Sequence, residues 1–525
     1  MQKFVFLILL SLLAPLQAER PNIVYFMADD LGIGDVKIYG GDRCKTETPN
    51  FDALAAAGMR FTDAHPVASV CVPSRVAIMT GRYPWRFGAP VHGGPWGFLG
   101  PRFGPETPTL GHMLRKAGYA TGYVGKWHLG TEMATKDGKV QGPENVDYGK
   151  PLKLGPVQYG FDYSFIMPGS LDMFPYAYAK NNVWQGSVTA QKGWSAFNRV
   201  GPAEKDFEDV DVLDTFSGEA EAFIAWQAEE SKSGKPFFLF VALTSPHTPT
   251  SPSEKFQGKS KLGLYGDFVM ETDDCLGRVV AALEKHGLRD NTLLVATSDH
   301  GPASYAGNEA KATFAQFKEM ETLGHFSRGI YRGFKFSIYE GGLRVPFIIS
   351  WPAAVEAGST SDAIVGLQDV YATFAEVAGQ QLLEGEGPDS ISLLPVLRDV
   401  DAEPTRKNMV MEAGGFAIRD GDWKLCVCPG SGAKGMWGNT PPRDEAWKAA
   451  RAAFGKKPKR TELGKTPFVQ LFNLAEDPGE STNLAAANSE RVKSMLKLLA
   501  SDVAAHPNER EINIHRNAPK FVFDD

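Results

Sequence analysis

Residues 22–30 read NIVYFMADD, from Asn22 to Asp30. After the opening asparagine nothing alternates between polar and apolar, so the run suits a strand covered on both faces. Two carboxylates then follow without a break. Four more runs share this character: 119–124 (YATGYV), 236–243 (PFFLFVAL), 292–296 (TLLVA) and 345–350 (VPFIIS). Helical patterns lie between them. The stretch 49–57 stops at Gly58, 109–117 at Gly118, and a longer amphipathic stretch, 267–285, closes at Gly287. Glycine ends a helix at least cost because it takes the left-handed conformation freely. Alternating strand and helix predicts an α/β fold, a large, mostly parallel sheet sandwiched by helices.

Four of these runs lead directly into charged or imidazole residues. The first meets Asp29 and Asp30, the second Lys126 and His128, the third His247, the fourth Asp299 and His300. Ligand sites of open α/β sheets lie at the carboxyl ends of the strands. Any one cluster reads equally well as a polar loop, but four in the same topological position predict one convergent site.

From about residue 376 the character changes. Short strand-like runs at 409–412, 415–418, 423–428 and 469–473 precede a helical pattern at 489–504, and 431–465 favours neither. The expected organisation is a signal peptide at 1–18, a catalytic domain at 19–375 and a smaller C-terminal α+β domain at 376–525.

The signal-peptide expectation rests on Lys3, the apolar run from Phe4 to Leu13 interrupted by Ser11, and the Leu16-Gln17-Ala18 cleavage pattern. That run is shorter than the ~20 apolar residues of a membrane span. Export of a soluble protein, secreted or periplasmic, without stable membrane insertion, is therefore expected. A net charge of −7 on 525 residues argues against a nucleic-acid partner. Five cysteines are too few for a disulfide scaffold. Cys44, Cys275, Cys426 and Cys428 read as structural or paired, and Cys71 stands apart because of its neighbours.

Those neighbours are CVPSR at 71–75 and TGR at 80–82. They are similar to the modification signature of type I sulfatases, and the likeness continues in order along nearly the whole mature chain. It takes in the Asp29–Asp30 pair, GKWHLG at 125–130, SPH at 245–247, SDHGP at 298–302, GFK at 333–335, EGGLRVP at 340–346 and LFNLAEDP at 471–478. The resemblance implies an alkaline phosphatase-like fold and a sulfatase that hydrolyses sulfate monoesters.

It further implies that Cys71 is oxidised by a maturation enzyme to formylglycine (3-oxoalanine), whose hydrated form attacks with one hydroxyl and expels sulfate through the other. Without that resemblance, Cys71 would read as a buried cysteine at a helix start. By the same resemblance, Arg75 braces residue 71, and Lys126 and Lys335 grip sulfate oxygens, the electrostatic help such a transfer needs. His247, with Lys335, protonates the leaving alcohol. His128 deprotonates the remaining hydroxyl, and Asp299 activates the attacking one. Asp29, Asp30, Asp299 and His300, with residue 71, form the shell of one calcium ion, magnesium being the second choice. The family more often has Asn where this chain has His300, a less natural calcium ligand.

The expected substrate is a sulfated polysaccharide or oligosaccharide. The stretch between Gly155 and Arg199 is rich in aromatics, among them Tyr159, Phe161, Tyr163, Phe165, Phe174, Tyr176, Tyr178, Trp184 and Trp194, which have no clean period and suggest a loop over the site. Such side chains stack on sugars if exposed and pack on the sheet if buried, and the sequence leaves both open. His92, Trp96, Arg102 and His325 are weaker candidates for substrate contacts. Two rivals keep the fold: a formylglycine-dependent phosphodiesterase or phosphonate hydrolase, and a non-catalytic carbohydrate-binding relative.

Overall fold

The computed structural model describes residues 20–87, 95–194, 198–306, 319–428, 430–432 and 469–504. The expected signal peptide, His92 and most of 431–465 lie outside the described residues. A ten-stranded sheet dominates. In chain order its strands are β1 (Asn22–Asp29), β2 (Met59–Phe61), β3 (Ala120–Lys126), β4 (Tyr163–Met167), β5 (Ala179–Lys180), β6 (Val183–Trp184), β7 (Phe237–Pro246), β8 (Thr292–Ser298), β9 (Phe347–Ser350) and β10 (Ser359–Ser361). Across the sheet the order is β10-β2-β9-β8-β1-β7-β3-β4-β5-β6. The five central strands, β8-β1-β7-β3-β4, run parallel, and antiparallel pairs flank them. Each strand expected from sequence is present. β4 was not expected: its aromatic run YSFIM is buried throughout and pairs with β3.

Both faces of β1 are covered, as its composition requires. Successive strand side chains point to opposite faces. Tyr25 meets Phe374 of the helix Val370–Val377, and Phe26 meets Phe51 of the helix Pro49–Ala56. Both β1 rings are fully buried, each worth about 1.5–3 kcal/mol of transfer free energy. The helices Val212–Lys232 and Gly263–Lys285 pack on each other and on β7.

A second, antiparallel sheet comprises β11 (Asn408–Glu412), β12 (Phe416–Asp420), β13 (Trp423–Val427) and β14 (Val469–Asn473). The helix Ser489–Ala504 covers it with Met495 and Leu499. Leu393, Val396 and Leu397 still pack into the large core, ahead of this sheet. The two sheets are joined by apolar contact and by buried charge. Glu340 accepts from Lys424 Nζ (2.8 Å), Arg344 Nε (2.8 Å) and lies 2.8 Å from His65 Nε2. Lys424 also reaches Glu480 at 2.9 Å, and Arg419 and Arg344 hold Asp63 at 3.0 and 2.7 Å. The Asp63–His65–Glu340 group has carboxylate and imidazole spacing suited to a metal, but these cations already occupy its oxygens. It is an ionic joint.

All five cysteines are buried and unpaired, so the alternative of disulfide pairing does not hold. Among the described residues no helix is long and apolar enough to cross a membrane.

Candidate active site

The carboxyl ends of the parallel strands converge. β1 ends in Asp29 and continues to Asp30, β8 leads to Asp299 and His300, β7 to His247, and β3 ends in Lys126, two residues before His128. Gly125 makes the last of these possible. Its φ is +116°, and a Cβ there would lie 1.9 Å from the Ala242 carbonyl oxygen of the neighbouring strand. Only glycine allows this approach. Asp30 and His128 are themselves left-handed (φ 63° and 51°), a conformation uncommon outside glycine and concentrated at functional sites.

Cys71 opens the helix Cys71–Thr80 and faces this convergence. Its Sγ lies 3.2 Å from His300 Nε2, 3.4 Å from Lys335 Nζ, 3.6 Å from Asp29 Oδ1 and 3.9 Å from Lys126 Nζ. One turn later on the same face, Arg75 donates to Asp29 Oδ2 (2.7 Å), Asp299 Oδ2 (3.0 Å) and the Lys126 carbonyl (3.0 Å). Ser74 Oγ donates to the Asp299 carbonyl at 2.6 Å. Lys126 Nζ pairs with Asp29 at 2.5 Å, and Lys335 Nζ donates to Asp30 at 2.8 and 3.1 Å. Lys335 comes from a loop fixed at both sides, its own N–H on the Pro302 carbonyl and that of Phe336 on Ser69. Every named group is at least nine-tenths buried.

Burial opposes each of these charges, so the partners decide the outcome. Burial disfavours the Asp29 carboxylate, yet Lys126 and Arg75 outweigh it and hold that carboxyl well below the usual range. Asp30 goes the other way: burial and the charges of Asp29 and Asp299 push it well up, against the pull of Lys335. Burial and then Asp29 push the Cys71 thiol up, which keeps it protonated. Burial lowers all three imidazoles, His128 with help from Lys126, His247 with help from Lys335, and His300 to about 4.

The structure therefore brings together Cys71, Arg75, Lys126, His128, His247, Lys335, Asp29, Asp30, Asp299 and His300. His325 is elsewhere, buried against Asp35 at 2.8 Å. Most of the aromatic stretch packs inside: Tyr159, Phe161, Tyr163, Phe165, Phe174, Tyr176 and Trp184 are buried, Tyr178 is half-buried, and among the described residues of the stretch only the Trp194 ring is exposed. Trp96 is 38% exposed, with Arg199 stacked 3.9 Å over its ring. Arg102 Nε is buried without a partner among the described residues. Sequence reasoning missed Asp172, which lies 4.0 Å from His247 on the loop after β4. Its signal is hidden in the sequence because β4 falls within the aromatic stretch that has no clean period.

The sequence model of the Sulfatase family matches residues 21–380. The chain belongs to the sulfatase family. It is accordingly a sulfuric ester hydrolase. It is 32% identical to the N-acetylgalactosamine-6-O-sulfatase of Bacteroides thetaiotaomicron over 92% of this chain and 93% of the relative. It is 28% identical to the human N-acetylgalactosamine-6-sulfatase, over 94% and 88% respectively. A Bacteroides thetaiotaomicron structure named for glycosaminoglycan metabolism superposes with a TM-score of 0.74 at 30% identity, covering 92% of this chain and 99% of that one. A phosphonate monoester hydrolase from Silicibacter pomeroyi, at 17% identity and TM-score 0.57 over 92% and 95%, shares the fold.

Membership of this sulfatase family implies a formylglycine and a divalent metal, and the donor set fits a cation. Asp29, Cys71, Asp299 and His300 each offer a ligand atom within 4.8 Å of the others, as do Asp29, Asp30, Cys71 and His247. His300 Nδ1 faces the Gly301 carbonyl at 2.9 Å and so carries the proton, which leaves the Nε2 lone pair available as a ligand atom among Cys71 Sγ (3.2 Å), Asp30 Oδ1 (3.2 Å) and Asp299 Oδ1 (3.5 Å).

Proposed function

We propose that the chain is an exported sulfatase that removes sulfate from a glycan, with a formylglycine at position 71 and one calcium ion as its resident groups. The observation that carries this reading is the setting of Cys71 Sγ, within reach of Lys126 and Lys335 and against a three-carboxylate cluster in which Arg75 ties Asp29 to Asp299 and Lys335 holds Asp30. The glycan substrate rests on the names of the relatives, which make N-acetylgalactosamine 6-sulfate the first ester to assay. Calcium is favoured over magnesium because the set is rich in carboxylates that need not be octahedral.

Bound, these two groups would supply a hydrated aldehyde as nucleophile and a cation that neutralises sulfate and carboxylate charge; Asp29, Asp30, Asp299 and His300 would hold the metal beside residue 71. The chain's own residues do the rest. Lys126 and Lys335 place two ammonium groups against residue 71, where the anionic group must sit, and so favour charge that develops on its oxygens. Arg75 fixes Asp29 relative to Asp299, so neither carboxylate is free to swing. His247 donates from Nδ1 to the Thr248 carbonyl at 2.6 Å, which leaves Nε2 as the atom that takes and returns a proton on the leaving-group side. His128 Nδ1 is buried without a hydrogen-bond partner among the described residues, and so can exchange a proton with a bound group.

The testing experiment is sulfate release from a panel of sulfated saccharides, alongside mass spectrometry of the peptide containing residue 71. Sulfate release together with a mass for formylglycine is expected. Hydrolysis of phosphonate esters in preference to every sulfate ester would overturn it.

A further inference from the structure

Four of the five parallel strands deliver a residue of the site at their carboxyl ends, and the fifth, β4, has been assigned none. The chain leaves β4 at Met167 and passes directly behind His128, whose N–H donates to the Pro168 carbonyl at 3.1 Å. It then turns at Ser170, where Met173 N–H closes on the Ser170 carbonyl at 2.9 Å. Inside that turn is Asp172, 5% exposed.

Its setting differs from that of the other carboxylates. Arg199 anchors the residue from outside, Nη1 on the Asp172 carbonyl at 2.6 Å and 3.4 Å from Oδ2. Arg199 is itself laid on the face of Trp96. Oδ1 points the other way, 4.0 Å from His247 Nδ1, where burial pushes the carboxyl up against the pull of Lys126 and Lys335. It has no hydrogen-bond partner among the described residues. A buried carboxylate oxygen left without a donor is costly unless a ligand brings one.

We infer that Asp172 is a specificity residue, whose Oδ1 accepts a hydrogen bond from a hydroxyl of the sugar that carries the sulfate. The inference rests on the sulfatase reading above. The chemistry follows from position. Oδ1 lies beside His247 Nδ1, across the ring from the Nε2 that serves the departing alcohol, so it is placed to meet the body of the sugar rather than the ester oxygen, and a carboxyl there is matched by a sugar hydroxyl and mismatched by a bare aromatic ring. Trp96 and Arg199 brace the carboxylate from behind, so its direction is set before substrate arrives.

The test compares two sulfate esters that share the sulfate and differ in the alcohol: 4-nitrophenyl sulfate, which has no free hydroxyl, and the best monosaccharide sulfate from a panel headed by N-acetylgalactosamine 6-sulfate. In Asp172→Ala, kcat/KM for the sugar ester is expected to fall about 100-fold relative to the aryl ester, the discrimination a lost hydroxyl partner typically brings. Asp172→Asn keeps an acceptor and should fall less. Wild-type enzyme should lose the same factor on the one deoxy sugar sulfate that lacks the partner hydroxyl, and Asp172→Ala should lose nothing further on it. If the alanine variant fails to fold, the asparagine variant and the wild-type deoxy series carry the test. Equal losses on both esters would show that Asp172 orients His247 and would overturn the inference, as would an unchanged ratio. Wild-type protein that hydrolyses neither ester overturns the sulfatase reading, and this inference with it.

Discussion

Asp29 and Asp299, at the ends of adjacent parallel strands, are held by one guanidinium, with Arg75 Nη2 2.7 Å from the first and Nε 3.0 Å from the second. A lysine keeps the charge but not the fork. Arg75→Lys should therefore lose one of the two bonds, lowering stability by about 1.5–3 kcal/mol in a denaturant titration. Turnover should fall at least about tenfold, since both carboxylates face residue 71. A variant matching wild type in both measurements would remove Arg75 from the site's framework.

Cys71→Ala should fold, because the side chain is small and packed against polar groups, and should release no sulfate. Circular dichroism and a sulfate assay read the two outcomes separately. Activity above about one percent of wild type would exclude a covalent role for residue 71.

Chelation should abolish activity and lower the melting temperature, since an ion bound only by the folded state stabilises it, by about 2.7 kcal/mol at a hundred times its dissociation constant. His300→Asn returns an amide oxygen to the cluster, and calorimetry should show calcium bound at least as tightly as in wild type. His300→Ala should bind it more weakly. Should the alanine variant bind calcium as well as wild type, His300 is not a ligand.

The joint between the sheets makes a prediction far from the chemistry. Lys424 is fully buried and bonded to both Glu340 and Glu480. Lys424→Met leaves two carboxylates without their shared cation and should cost about 3–5 kcal/mol of stability. At temperatures where it remains folded, its preference among sulfate esters should match that of wild type. A changed preference would mean the C-terminal sheet shapes the substrate pocket through this joint.

The fold was legible wherever a strand is buried on both faces. NIVYFM and PFFLFVAL have no wet side, so composition alone announces them, and the residues at their carboxyl ends mark the site. β4 was illegible for a related reason. Its YSFIM run sits among aromatics of no fixed period, and Tyr176 and Trp184 are packed rather than presented to solvent. Aromatic density gave no way to tell a core from a sugar platform. Asp172 disappeared with β4, since a lone aspartate is read as a site residue only once its strand is known. Lys335 shows the opposite limit: its loop ends no strand, and only the ordered motifs around it singled it out.

Cys71 is 3% exposed, and the helix it opens is buried almost throughout. That burial sets a deadline. If residue 71 matures to formylglycine as proposed, its oxidant must reach a thiol that the closed protein keeps inside. Conversion would then have to come while the segment is still an open chain, before β1 and β8 deliver their aspartates around it. On that reading a polypeptide that closes with the cysteine intact is locked out unless it unfolds, and the fraction of active molecules in a preparation would report a race between folding and oxidation.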